Sequence, residues 1–223
     1  MKTTKWMSHG LLLVAMVLAL VGCSKGTGRT LTSATGSVYE CLVVMNDAPL
    51  TQAQLNEVAK LSLINEASGY TKPIASLYDL VEAVMAADMP CMPQVEPYFR
   101  ITKVATAQFD DMFKPTRNIL FVDINPQKYT QLKAKVSNNY WSTPQAICRI
   151  QTPSEEEFVA YWLEHGAEIR EWFVDQEIKR QMKFYRASTN KDARAILQQQ
   201  GYDMLIPEDY MVIMDTVLEG AST

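Results

Sequence analysis

The chain has 223 residues, 48% of them hydrophobic, and 21 lysines and arginines set against 25 acids give a net charge of −4. This is length enough for one domain with a sizeable core, and the lack of a basic excess argues against nucleic acid as a partner. With two histidines in all, neither a His-rich metal site nor a wide choice of Ser-His-Asp triads is available.

Lys2 and Lys5 precede an apolar run, Leu11 to Val21 (LLLVAMVLALV). That run is too short for a hydrocarbon core about 30 Å thick, which takes roughly 20 residues. A basic start followed by a short apolar stretch reads as a secretory signal. The run ends in Leu20-Val21-Gly22-Cys23, which resembles the lipobox of bacterial lipoproteins. The resemblance implies diacylglycerol on Cys23 and cleavage before it. Residues 1–22 are thus expected to be a signal peptide and residues 23–37 a flexible tether rich in Gly, Ser and Thr. Gly26 and Gly28 do not form a phosphate loop, because no strand pattern precedes them and no helix pattern follows. Loss of the leader removes Lys2, Lys5 and His9, leaving His165 and a net charge of about −6. Besides Cys23 the mature chain then carries Cys41, Cys91 and Cys148. An odd count in an exported chain allows one disulfide and one free thiol.

The remaining elements follow in chain order. Val38 to Met45 is apolar on both faces and predicts a buried strand. Residues 51–66 predict a helix capped by Thr51, and residues 74–87 a second, with Ile74, Leu77, Val81, Val84 and Met85 at helical spacing. Met89 to Pro97 holds three prolines and predicts a loop. Tyr98 to Val104 alternates as a half-exposed strand does, and 106–113 predicts a short helix or loop. Asn118 to Ile124 predicts a buried strand. Asn125-Pro126 is a helix-start signal, with the helix expected to run to about Val136. Gln145 to Gln151 alternates again, with Ala146, Cys148 and Ile150 on one face. A long helix is predicted from Thr152, as cap, to about Arg186, with Glu155 closing a capping box and Gly166 able to bend it. Asn190 caps a last helix to Gln200, ended by Gly201. Tyr202 to Val217 predicts one or two short strands.

This order predicts an α+β fold. We expect a ferredoxin-like split βαβ sheet over residues 38–152 with helices on one face. Residues 153–223 add a helical extension packed on the same domain and ending in short strands. A conventional α/β sheet is the competitor. The segment between the second and third strands is short for a parallel crossover and adequate for an antiparallel return.

Five segments, Val43-Val44-Met45-Asn46-Asp47, Pro93-Gln94-Val95-Glu96-Pro97, Arg117 to Asp123, Trp141-Ser142-Thr143-Pro144-Gln145 and Ile206-Pro207-Glu208-Asp209-Tyr210, resemble in order and spacing the envelope lipoproteins of domain of unknown function 4837. The resemblance covers about residues 38–215. It implies no activity, cofactor or catalytic residue. Members of that family continue well beyond the Ile-Pro-x-x-Tyr segment, so a short or C-terminally truncated member is expected.

No catalytic or metal constellation stands out, and no cofactor is expected. Asp110, Asp111 and Asp123 read as turn and strand-end carboxylates rather than an acid/base pair, whose two pKa values must be pushed apart. Trp162, Trp172 and Phe173 read as core residues of the long helix, and His165 as a solvated or salt-bridged surface residue. Tyr140-Trp141, in a loop, are the candidate contacts for a sugar or small ligand. Cys41 and Cys148 fall on the first and fourth strands, neighbours in a ferredoxin-like sheet. A disulfide there is geometrically allowed, and two buried free thiols are the favoured alternative. The function expected is that of a non-catalytic binding or scaffolding lipoprotein, held to the membrane through lipid on Cys23. It would sit in the cell envelope facing the periplasm, at the outer rather than the inner membrane, with an envelope protein as partner. The alternatives are a carboxylate enzyme acting on envelope glycan or peptide, and a glycan or small-ligand binder using Tyr140 and Trp141.

Overall fold

A computed structural model describes residues 30–59 and 72–213. The signal peptide, Cys23, the start of the tether, Leu61, Leu63, Gly69 and residues 214–217 of the expected terminal strands lie outside the described residues. Within Thr32–Thr223 the described residues build the following elements.

Thr32–Ser33 (β1) is a short strand, so ordered pairing begins inside the stretch expected to be tether. Glu40–Val44 (β2) follows. Residues 52–59 (α1) are helical. Thr51 and Gln54 form a reciprocal cap: Thr51 N–H donates to Gln54 Oε1 at 2.7 Å, and Gln54 N–H to Thr51 Oγ1 at 3.3 Å. Leu77–Met85 (α2) opens with a true capping box between Ser76 and Asp79. Arg100–Val104 (β3) precedes a short 3₁₀ turn at Thr106–Gln108. Asn118–Ile124 (β4), Lys133–Asn138 (β5), Ser142–Thr143 (β6) and Ala146–Thr152 (β7) complete the strands. Glu155–Ala187 (α3) has 33 residues, a length of about 50 Å at 1.5 Å per residue. Lys191–Gln199 (α4) is capped by Asn190, whose side chain accepts from Ala193 N–H. Gly201 past its end has φ +84°, the left-handed geometry glycine accepts without strain.

The α+β class stands, with the helices on one face of the main sheet. The strand arrangement differs from the ferredoxin-like expectation. The five-stranded sheet has the order β3-β2-β4-β7-β5. β3, β2, β4 and β7 are mutually parallel, and β5 pairs antiparallel with β7. The cause is residues 105–117. They are not an antiparallel return but a parallel crossover passing over the sheet face away from the helices. Phe109 and Phe113 from this segment pack there against Leu42, Val44, Val104, Ile119 and Ile147. Two aromatic rings thus cover the face that a crossover helix would otherwise cover.

The opposite face carries the main core. Cys41, Val43, Met45, Leu120, Val122, Cys148 and Ile150 meet Leu77, Leu80 and Val81 of α2 and Phe158, Trp162 and Phe173 of α3. Fully burying one such large apolar side chain contributes about 1.5–3 kcal/mol.

Four further expectations are corrected. The helix expected after Asn125-Pro126 is a single turn: Asn125 Oδ1 accepts from Gln127 and Lys128 N–H at 2.9 and 3.1 Å, and the chain then enters β5. The cap signal is real, but Lys133–Asn138 gains a full ladder by pairing with β7. The cap of α3 is Ser154, which accepts from Glu157 N–H at 3.2 Å, rather than Thr152. α3 also runs unbroken through Gly166. Among the described residues after Gly201, no strand forms; one bridge joins Thr189 to Pro207.

Candidate ligand-binding site

Tyr140 and Trp141 lie in the connection from β5 to β7, and the local sequence explains why that loop holds its shape. Asn139 adopts φ +56°, a left-handed conformation that asparagine tolerates better than most residues. Its side chain accepts from Gln145 N–H at 2.9 Å. Gln145 is buried and fully used: its Oε1 accepts from Trp141 and Ser142 N–H at 2.9 and 3.3 Å. Its Nε2 donates to the carbonyls of Lys114 and Thr116 at 2.6 and 2.7 Å. The loop is therefore pinned to the crossover segment. Trp141 packs edge-on to Tyr140, with centroids 4.8 Å apart, and lies 5.6 Å from Phe109. Trp141 is half-buried, while Tyr140 is 54% exposed.

Beneath these rings lies Arg149. Strand alternation places it on the face away from the helices, opposite Phe121 on β4 and Lys135 on β5. Its guanidinium carbon is 5.5 Å from the centre of the Phe121 ring, 5.9 Å from Tyr140 and 6.0 Å from Trp141, within the range of cation–π attraction. Its Nε–H is buried and has no hydrogen-bond partner among the described residues. A buried donor left so costs about 1–3 kcal/mol. A cavity of about 90 Å³ is lined by Lys135, Ser137, Tyr140 and Arg149.

The next rung along this face is closed by contrast. Tyr129 OH donates to Asp123 Oδ2 at 2.5 Å and accepts from Gln151 Nε2 at 2.8 Å, and Lys128 lies 3.4 Å from the same carboxylate. Asp123 is thereby a structural acceptor. Asp110 accepts from Met112 N–H at 2.9 Å, and Asp111 pairs with Lys114 at 2.5 Å. Each of the three carboxylates accepts from a nearby donor, and no three His, Cys, Asp or Glu side chains converge as metal ligands among the described residues. His165 sits on the surface of α3 beside Tyr161, with Nδ1 3.1 Å from Glu168 Oε2. Trp162 and Phe173 are core, and Trp172 packs against it. A groove of about 620 Å³ runs between α1 and the first turns of α3 and is lined by Glu57, Glu156 and Glu164 with Val159 and Leu163.

Cys41 and Cys148 both point into the main core, but β4 separates their strands. Two strand spacings and a two-residue offset in register put them more than about 10 Å apart, so the neighbouring-strand expectation fails and no disulfide forms. Both thiols are free and buried, and Cys91 is free and exposed. Burial pushes Cys148 up to about 12 and raises Cys41 as well.

A buried ion cluster joins α3 to the start of β4. Glu177 is fully buried. Arg117 holds it by two hydrogen bonds, of 2.9 and 2.6 Å, and Arg180 Nη1 and Asn118 Nδ2 add bonds of 2.7 and 2.6 Å. Burial lowers the Arg180 pKa, opposed by the Glu177 charge. Neither this cluster nor the Arg149–Lys135 pair stands out in the sequence. Each joins residues distant along the chain, and only the strand register brings them together. The available signal was the charged Arg149 between the apolar Cys148 and Ile150.

A family model for a domain of unknown function (DUF8532) matches residues 55–186. No curated protein and no solved structure matches the chain. The resemblance to domain of unknown function 4837 is overturned by that match. The segments that carried it are short and lie on β2, on β4 and in proline loops and turns, so their order alone does not single out a family. The match spans α2 and the strands β3, β4, β5 and β7 that carry the Arg149 pocket, together with nearly all of α3, and the chain belongs to the DUF8532 family.

Proposed function

We propose that this chain is a non-catalytic binding module of the bacterial cell envelope, tethered by lipid on Cys23 and facing the periplasm, at the outer rather than the inner membrane. Its ligand site is the pocket under Tyr140 and Trp141. The observation that carries the reading is Arg149: a cation set beneath three aromatic rings, with a buried donor unpartnered. A buried polar group without a partner calls for an explanation, and a shaped pocket with a few convergent polar groups is the usual form of a ligand site. The exposed Tyr140 ring beside it offers a surface for stacking. Tethering rests on Lys2, Lys5, the apolar run Leu11 to Val21 and the Leu20-Val21-Gly22-Cys23 segment. No helix among the described residues is long and apolar enough to cross a membrane.

A photo-crosslinking residue placed at position 140 in intact bacteria tests this. Adducts are expected at 140 and not at 95. Val95 is 81% exposed and lies before β3 at the opposite edge of the sheet. Cys23→Ala should lose both palmitate labelling and the adducts. Equal adducts at 95 and 140, or a Cys23→Ala protein still labelled by palmitate, would overturn the reading.

A further inference from the structure

We infer that the Arg149 pocket is a site for a phosphate group; this rests on the binding-module reading above and names the chemistry of its ligand. Arg149 and Lys135 stand directly opposite each other on adjacent antiparallel strands. Like charges so placed destabilise a sheet, and a sheet keeps them there at a cost unless an anion lies between them. Among the described residues no carboxylate does so. Neither side chain has an ion-pair partner among the described residues, and Asp123, the acid on the neighbouring rung, is occupied by Tyr129 and Lys128.

The lining of the pocket supplies only groups that can donate. Lys135 brings an ammonium, Arg149 a guanidinium, Ser137 and Tyr140 hydroxyls. Such a set suits an oxyanion, whose oxygens accept from every direction. The cavity of about 90 Å³ is about three times the roughly 30 Å³ that one water takes in the liquid, room for one small tetrahedral group. Two cations match the two negative charges a phosphate monoester carries more fully than the single charge of a carboxylate. The rings of Phe121, Tyr140 and Trp141 around Arg149 fix the plane of its fork, which a bidentate contact requires. Tyr140, at the open rim, would meet whatever organic part the phosphate carries.

The same phosphate chemistry can come from the free ion, from a sugar phosphate or from a lipid headgroup. The test uses the full-length protein carrying Cys23→Ala, without detergent, so that no acyl chain inserts into the vesicles. Calorimetric titrations are run with inorganic phosphate, with glucose 1-phosphate and with acetate. Binding is also measured to phosphatidic acid-containing and pure phosphatidylcholine vesicles. At least one phosphate probe is expected to bind, more tightly than acetate, and Arg149→Gln and Lys135→Gln are each expected to weaken it tenfold or more. Lys191→Gln, on α4, makes the same charge change and should leave it unaltered. Lys135 is exposed at the sheet edge, so Lys135→Gln carries the test if Arg149→Gln does not fold. Binding by glucose 1-phosphate but not by vesicles assigns the site to a phosphorylated sugar, and the reverse assigns it to a headgroup. No binding by any phosphate probe, or binding unchanged in both variants, overturns the inference. If crosslinking at position 140 persists while the phosphate probes fail, the ligand class falls and the binding-module reading stands; if both fail, both fall.

Discussion

The indole N–H of Trp162 donates to the main-chain carbonyl of Leu80 at 3.2 Å. This bond joins α3 to α2 through the middle of the core. The ring cannot slide, because Phe158 stacks beside it at 6.0 Å and Gly166 lies on it one turn later. A Cβ at position 166 would sit 3.0 Å from Trp162 Cε2. Glycine to alanine inside a helix ordinarily gains roughly 0.5–1 kcal/mol. At Gly166 the bonded ring has no room to give, so Gly166→Ala is expected to destabilise by about 1 kcal/mol. Urea unfolding checks the sign, and a more stable variant would show that the ring can move.

Removing Glu177 should be among the most damaging single changes. Glu177→Ala leaves Arg117 and Arg180 facing each other at a buried site with no counter-charge, and loss of one partner of a buried pair costs about 3–5 kcal/mol. Glu177→Gln retains hydrogen-bonding capacity and should recover part of that loss. Chemical denaturation of the two variants decides it; equal stability of Glu177→Ala and the parent would mean the cluster holds nothing in place.

The thiols should separate cleanly by reactivity. The thiolate is the reacting form, and burial raises the pKa of both Cys41 and Cys148 and shields them. In a Cys23→Ala protein at pH 8, iodoacetamide is expected to modify Cys91 and to reach Cys41 and Cys148 only after unfolding. Mass spectrometry of the native digest provides the readout. Modification of Cys148 at the rate of Cys91 would contradict the packing of β7 against α3.

Acid should loosen the start of α2. Burial raises the Asp47 pKa, but hydrogen bonds from Lys103 and from Tyr78 N–H, the latter at 3.0 Å, outweigh it and leave the carboxyl below the ordinary aspartate range. A depressed folded-state value means that the stabilisation is complete above pH about 4, the unfolded value, and is lost as pH falls through the folded value. Asp47→Asn should therefore be less stable than the parent at pH 7, with the difference shrinking below pH 4. A constant difference from pH 7 to pH 2 would exclude the linkage.

What the sequence disclosed depended on how local the signal was. β4 matches the expected span from Asn118 to Ile124 because an unbroken apolar run bounded by polar residues has one reading. α3 was legible from Phe158, Trp162, Ile169 and Phe173 at helical spacing. β5 was not, since Lys133–Asn138 is exposed on nearly all its length and its short Lys-Ala-Lys-Val alternation is weak beside the strong cap at Asn125. Parallel pairing was hidden because the crossover carries phenylalanines in place of a helix. In the pocket, Tyr140 and Trp141 were visible as loop aromatics. Arg149 and Lys135 were not, because their meaning arises from a register that sets them side by side.

The two-residue pair between β1 and β6 has a mechanical side. Thr32 lies against Ser142, the residue after Trp141, and Ala34 and Thr35 N–H continue the attachment to the carbonyls of Thr143 and Pro115 at 3.0 and 2.9 Å. A pull arriving along the chain ahead of Thr32 therefore loads the Tyr140–Trp141 loop and the crossover segment before it reaches the five-stranded sheet. The two-residue pair and these two hydrogen bonds are the first contacts such a pull would meet.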